Sequence, residues 1–136
     1  MTDELIAFLR ARLAEDEQTA RDAGGVPWEG TDNAQWIHVR PEAIRNETWR
    51  LGHLGHVATV EHNHDRSHIL RYDPARVLRD VEAKRRIIDA AVATWNNSCD
   101  PTDEFWVGLA PMMKSMLKHL ATVWSDHPDF DEGWRP

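Results

Sequence analysis

Apolar residues along this 136-residue chain fall into three stretches of helical spacing and one region of alternation. Near the start, Leu5, Leu9 and Leu13 recur every four residues and so share one helix face, which Thr2 or Asp3 can cap and Gly24-Gly25 ends. Glu15, Asp16 and Glu17 point three ways around that helix and read as a wet acidic shoulder. In the middle, Val77, Val81, Ile88, Val92 and Trp95 form a second stripe, started by Asp73 as cap and by Pro74 in the first turn, where its missing N–H costs nothing. A helix from Pro74 to Asn96 runs roughly 34 Å at ~1.5 Å per residue. The third stretch, Trp106, Leu109, Met113, Leu117, Leu120 and Trp124, follows the cap signal Asp100-Pro101. Pro111 lies inside it and is expected to kink it or divide it, because it removes one backbone bond and crowds the preceding turn. Met112, Met113 and Met116 read as core fillers, with a groove beside the kink as the alternative.

Alternation marks Gln35 to Arg40, with Trp36 and His38 on one face and Ile37 and Val39 on the other. Glu47 to His62 reads as one or two further strands, Val57 to Val60 being the most strand-like piece and Gly52 and Gly55 marking a turn or bulge. Val26 to Asn33 reads as turns anchored by Trp28, and Asn63 to Tyr72 as a short helix or helical turn. Connections this short cannot carry a parallel crossover. The pattern therefore predicts an α+β fold of three main helices (first, long central and kinked last), with a small two- or three-stranded antiparallel sheet between helices one and two. One domain over residues 1–136 suffices, since a chain of this length buries about two thirds of its unfolded surface. The tail after Ser125 is acidic, and Phe130 and Trp134 are expected to pin it to the body.

Charge narrows the function classes. Sixteen Lys and Arg against twenty-three Asp and Glu leave a net charge of −7, which disfavours duplex binding and places a small nucleic-acid-binding regulator behind other readings. The single cysteine, Cys99, has no internal disulfide partner. No charged-then-apolar leader occupies Met1 to Ala20, and the longest apolar run, Phe105 to Met113, falls short of the ~20 residues a membrane helix needs. The expectation is a cytoplasmic protein with no membrane partner. Seven tryptophans and eight histidines stand out against one tyrosine and three phenylalanines.

Five of the histidines, His53, His56, His62, His64 and His68, lie close together. On a strand, His62 and His64 share a face, and His68 closes a three-nitrogen site if the chain turns back after Asp65. Three imidazoles and an open position suit catalytic zinc, which makes a metal-dependent hydrolase with Asp65 or Glu61 as base one alternative. The spacing matches no established ligand signature. It only brushes against the His-x-His-x-Asp-His pattern of metallo-β-lactamase-like hydrolases, with Asp65 one position early, Arg66 where the Asp belongs, and a chain too short for that fold. The leading expectation is no cofactor. Ser125-Asp126-His127 holds triad residue types, but three consecutive side chains do not form a triad. Standard phosphate-cradling glycine loops are absent.

Basic residues concentrate at Arg66, Arg71, Arg76, Arg79, Lys84, Arg85 and Arg86, interleaved with Asp73, Asp80, Glu82 and Asp89. Much of this run should be a self-paired helix surface. Its other reading, with Arg79 and Arg86 seven apart on one helix face and Arg76 close to them, is an anion-holding face. The function that follows is a non-enzymatic binding module for a protein partner or a small anionic ligand. Trp36, Trp49, Arg71, Arg76 and Arg79 are its contact residues, and nothing excludes a homo-oligomer.

Three segments, Phe8 to Arg21, His68 to Ile88 and Asp126 to Pro136, resemble a small uncharacterised actinobacterial family, a domain of unknown function also met in phages and mobile elements. Its members often carry a cysteine-containing, zinc-ribbon-like insert after the central helix. The corresponding region here, Ala90 to Leu120, has only Cys99. The resemblance implies no activity.

Overall fold

The computed structural model describes residues 3–30, 36–39, 56–98 and 104–136. In chain order the elements are α1 (Asp3–Asp22), β1 (Trp28–Gly30), β2 (Trp36–Val39), β3 (His56–Thr59), α2 (Asn63–Arg71), α3 (Pro74–Ser98) and α4 (Glu104–Ala121). Short 3-10 turns follow at Thr122–Trp124 and Glu132–Trp134. The fold is α+β, with four α-helices among the described residues against the three main ones that the pattern predicts, the short α2 being the addition. Cys99, the Asp100-Pro101 cap signal, Trp49, Gly52, His53 and Gly55 lie outside the described residues. The chain divides into two compact units, one of Met1–Glu15 with Glu82–Pro136, the other of Asp16–Val81.

In the first unit, Leu5, Leu9, Ile88 and Leu117 are almost wholly excluded from water, with Trp106, Met113 and Ala121 also buried. Trp95 and Trp106 meet edge to face at 5.3 Å, and the Lys84 ammonium lies 5.3 Å from the Trp124 ring. Because Lys84 precedes Trp95 while Trp124 follows Trp106, α3 and α4 run antiparallel. Helix α4 continues through Pro111 undivided. Pro111 is exposed, so the carbonyl of Val107 that loses its N–H partner lies on a face open to water. Phe8 holds the tail as expected, with Phe130 at 6.0 Å and Trp134 at 4.9 Å between ring centroids.

Beside Phe8, Arg12 is only 7% exposed. Its guanidinium donates to Glu15 at 2.7 Å and to His127 Nδ1 at 2.6 Å, and lies 3.6 Å from Asp129. His127 therefore serves as an acceptor for a buried arginine. Its Nδ1 also accepts from the Asp129 N–H at 3.1 Å.

In the second unit, α1 ends at Gly24 and Gly25, both left-handed (φ 102° and 66°), with Gly25 donating back to the Ala20 carbonyl at 2.9 Å. The sheet is an antiparallel meander in the order β1-β2-β3. β1 corrects the all-turn reading of Val26 to Asn33: Trp28 pairs with Val39, Glu29 with His38 and Gly30 with Ile37. Alternation on β2 holds, since Ile37 and Val39 are buried while Trp36 is 56% exposed. The β2–β3 register shifts between Ile37 and His38. α2 has no buried residue, so it owes its place to its neighbours rather than to a stripe of its own. Among the described residues, no helix is long and apolar enough to cross a membrane.

Candidate functional site

Helix α2 stops at Arg71 because Tyr72 leaves helical geometry (φ −109°, ψ 37°) and closes a tight turn onto the Ile69 carbonyl. One residue later the chain restarts as α3. Asp73 is the hinge of this corner: Oδ1 accepts the Arg76 N–H at 2.7 Å as the helix cap, and Oδ2 accepts the Trp28 N–H at 3.2 Å. A single buried carboxylate thus ties β1 to the start of α3. Gly30 lets α2 come close to β1, because a Cβ there would stand 3.1 Å from Arg66 Nη1 and 3.2 Å from Leu70 Cδ1.

Between these elements lies a hollow of about 490 Å³, lined by Trp28, Glu29, Gly30, Ser67, Leu70, Arg71, Asp73, Arg76 and Arg79. Three residues singled out from the sequence, Arg71, Arg76 and Arg79, therefore reach one cavity. All three are exposed. The Arg76 guanidinium lies 4.7 Å from the Tyr72 ring and donates to the Arg71 carbonyl at 3.2 Å.

Local carboxylates are already engaged. Asp73 serves two backbone N–H groups, and Glu29 lies 3.0 Å from His38 Nε2 across the β1–β2 ladder. Among the described residues, Arg71, Arg76 and Arg79 form no ion pair, whereas Arg86 pairs with Glu82 at 2.9 Å. The self-paired helix surface expected of the basic run is thus present at Arg86 and absent at these three. The indole N–H of Trp28 is buried without an acceptor among the described residues, an uncommon state for a buried donor.

Trp36 stands on the exposed face of β2, edge-on to the His56 ring at 5.6 Å, and does not line the hollow. The histidines are arranged differently from the strand expectation. His62 precedes α2 in extended geometry, while His64 and His68 lie within it. Two residues apart near a helix start, His62 and His64 do not share a face, whereas His64 and His68, four apart, do. The His68 ring lies 5.0 Å from that of Tyr72, tilted by 48°. His56 Nε2 bonds Thr59 Oγ1 at 3.2 Å. Among the described residues, no group of three or more His, Cys, Asp or Glu is placed to hold a metal ion.

Sequence reasoning missed Trp28 and Gly30 as site residues. Their signal is the pairing of β1 with β2, which a three-residue strand does not advertise. In comparisons with known proteins, a family model described as a family of unknown function, DUF6221, matches residues 2–136. No curated protein and no solved structure matches the chain.

Proposed function

We propose that this chain, which belongs to the DUF6221 family of unknown function, is a non-enzymatic binding module that takes a small anionic ligand at Arg71, Arg76 and Arg79. The observation that carries this reading is the convergence of three exposed guanidiniums, none ion-paired among the described residues, on one hollow whose carboxylates are already engaged. Guanidinium presents a planar fork of donors that matches carboxylate and phosphate oxygens in pairs. A volume of about 490 Å³ lies within the roughly 300–1,000 Å³ of ordinary small-molecule sites. The net charge of −7 favours a compact anion over a polyanionic duplex. Trp36, exposed on the same unit, is the proposed aromatic contact for a protein partner. The setting carried over from the sequence resemblance is that of phage and mobile-element chains.

The test is calorimetric titration with pyrophosphate and with succinate, against wild type and Arg79→Ala. Arg79 is the informative position because Arg76 also braces the corner between α2 and α3. Saturable binding, weakened about tenfold or more by Arg79→Ala, is the expected result. Absence of binding by both probes, or equal binding by the variant, refutes the reading.

A further inference from the structure

The arginine hollow has an apolar wall that a bare anion leaves uncovered. Trp28 and Gly30 pair with Val39 and Ile37, so the Trp28 side chain lies on the sheet face that buries those two residues, and Glu29 lies with His38 on the other. Helix α2 meets that face at Gly30, where a Cβ would stand 3.2 Å from Leu70 Cδ1. Trp28 and Leu70 are nevertheless only half-buried. Both line the hollow and keep part of their surface open to it. The wall adjoins the cationic rim, because Leu70 precedes Arg71 and the Asp73 carboxylate bridges the backbone N–H groups of Trp28 and Arg76.

We infer, resting on the anion site proposed above, that its ligand is a phosphate monoester with a flat aromatic body. The phosphate sits among Arg71, Arg76 and Arg79, and the ring lies against Trp28 and Leu70. Three guanidiniums favour phosphate over carboxylate. A carboxylate fills one guanidinium fork with its two oxygens, whereas a phosphate monoester brings three terminal oxygens and close to two negative charges at neutral pH. The wall then selects the body. An indole face left open in a hollow is covered best by another ring, since offset or edge-on contact between rings adds to the gain from burial alone. Size agrees with this, because about 490 Å³ is far more than one phosphate group fills and is the scale of a whole small molecule. A ligand of this class is charged at one end and apolar at the other, as the hollow is.

The experiment is calorimetric titration of the full chain with phenyl phosphate and methyl phosphate, which share the anionic group and differ in the ring. Adenosine monophosphate, whose ring is carried on a sugar, is titrated beside them. At least one of the two ring-bearing esters should bind about tenfold or more tighter than methyl phosphate, and the tighter of the two shows whether the ring sits directly on the phosphate or on a sugar. Trp28→Leu keeps an apolar side chain without a flat face, and should bring that preference to within about threefold. If Trp28→Leu fails to fold, Leu70→Ala is read in the same way. Equal binding of all three esters, with pyrophosphate still held in an Arg79-dependent manner, overturns the inference and leaves the anion site standing. A ring preference unchanged in the wall variant overturns it as well, and absence of binding by every anion overturns both readings.

Discussion

Asp73 Oδ2 accepts the backbone N–H of Trp28 at 3.2 Å across 45 positions of sequence, while its Oδ1 caps α3 at Arg76. Removing the carboxylate frees two donors at once. Asp73→Ala should cost about 2–3 kcal/mol, combining a lost cap with a buried donor left unsatisfied. Asp73→Asn keeps the capping oxygen but turns an NH₂ towards Trp28, so it should cost less than Ala and more than nothing. Urea unfolding of the three proteins gives the order directly, and equal stability of Ala and wild type would contradict the corner described above.

Arg12 is a buried cation whose partners Glu15 and Asp129 are themselves exposed. Truncation to Ala removes hydrogen bonds and the stem that packs beside Phe8, so Arg12→Ala should destabilise by about 2–3 kcal/mol. Arg12→Met retains the stem and strands no buried carboxylate, and should recover much of that loss. Thermal unfolding of the pair separates the packing contribution from the ionic one.

Val81 and Ile88, one seven-residue step apart on α3, are 2% and 0% exposed. Ile88→Ala is expected to cost about 2–4 kcal/mol through the cavity it leaves, and Val81→Ala somewhat less. Unchanged denaturation midpoints for both would remove α3 from the core.

Gly30→Ala introduces a Cβ 3.1 Å from the Arg66 guanidinium and 3.2 Å from Leu70. The far ends of both side chains can give, so the expected stability loss is about 1 kcal/mol. Because Gly30 also lines the arginine hollow, the same variant should weaken pyrophosphate binding. Calorimetry on the folded variant reads that second effect separately from the first.

Arg135 hydrogen-bonds Glu132 and holds its carboxyl below the usual carboxylate range. A depressed folded-state value means that the pair's contribution is present above the ordinary carboxylate value and is lost as pH falls through the lowered one. Both groups are fully exposed, so the visible effect is on titration more than on stability. Carboxyl NMR should show the Glu132 midpoint rise in Arg135→Gln.

The helices were legible in the sequence because each of three has a stripe: Leu5, Leu9 and Leu13 are wholly buried, and so are Ile88 and Leu117. Helix α2 was legible only as a short helix or turn, since Asn63 to Arg71 buries no residue and so has no periodic signal. β1 was hidden for another reason. Trp28-Glu29-Gly30 becomes a strand through pairing with β2, and the flanking Gly24, Gly25 and Pro27 carry turn chemistry. Arg76 and Arg79 were readable as neighbours on one helix. That Arg71 joins them depends on the sharp exit at Tyr72, and that they lack carboxylate partners depends on Asp73 and Glu29 being engaged by Trp28 and His38. Those are tertiary facts with no local trace. His127, which reads as part of a Ser-Asp-His string, is fixed by an arginine 115 positions away.

That separation sets the order of events on the ribosome. Arg12 emerges 115 residues before His127, which at roughly 5–20 residues per second amounts to about 6–23 s of synthesis. Throughout that interval Phe8 and Arg12 are made but lack the tail that shields them, so the side of α1 that carries them waits uncovered. The first unit is therefore the later of the two to close, and a chain stalled before Phe130 would present that side of α1 to chaperones and proteases.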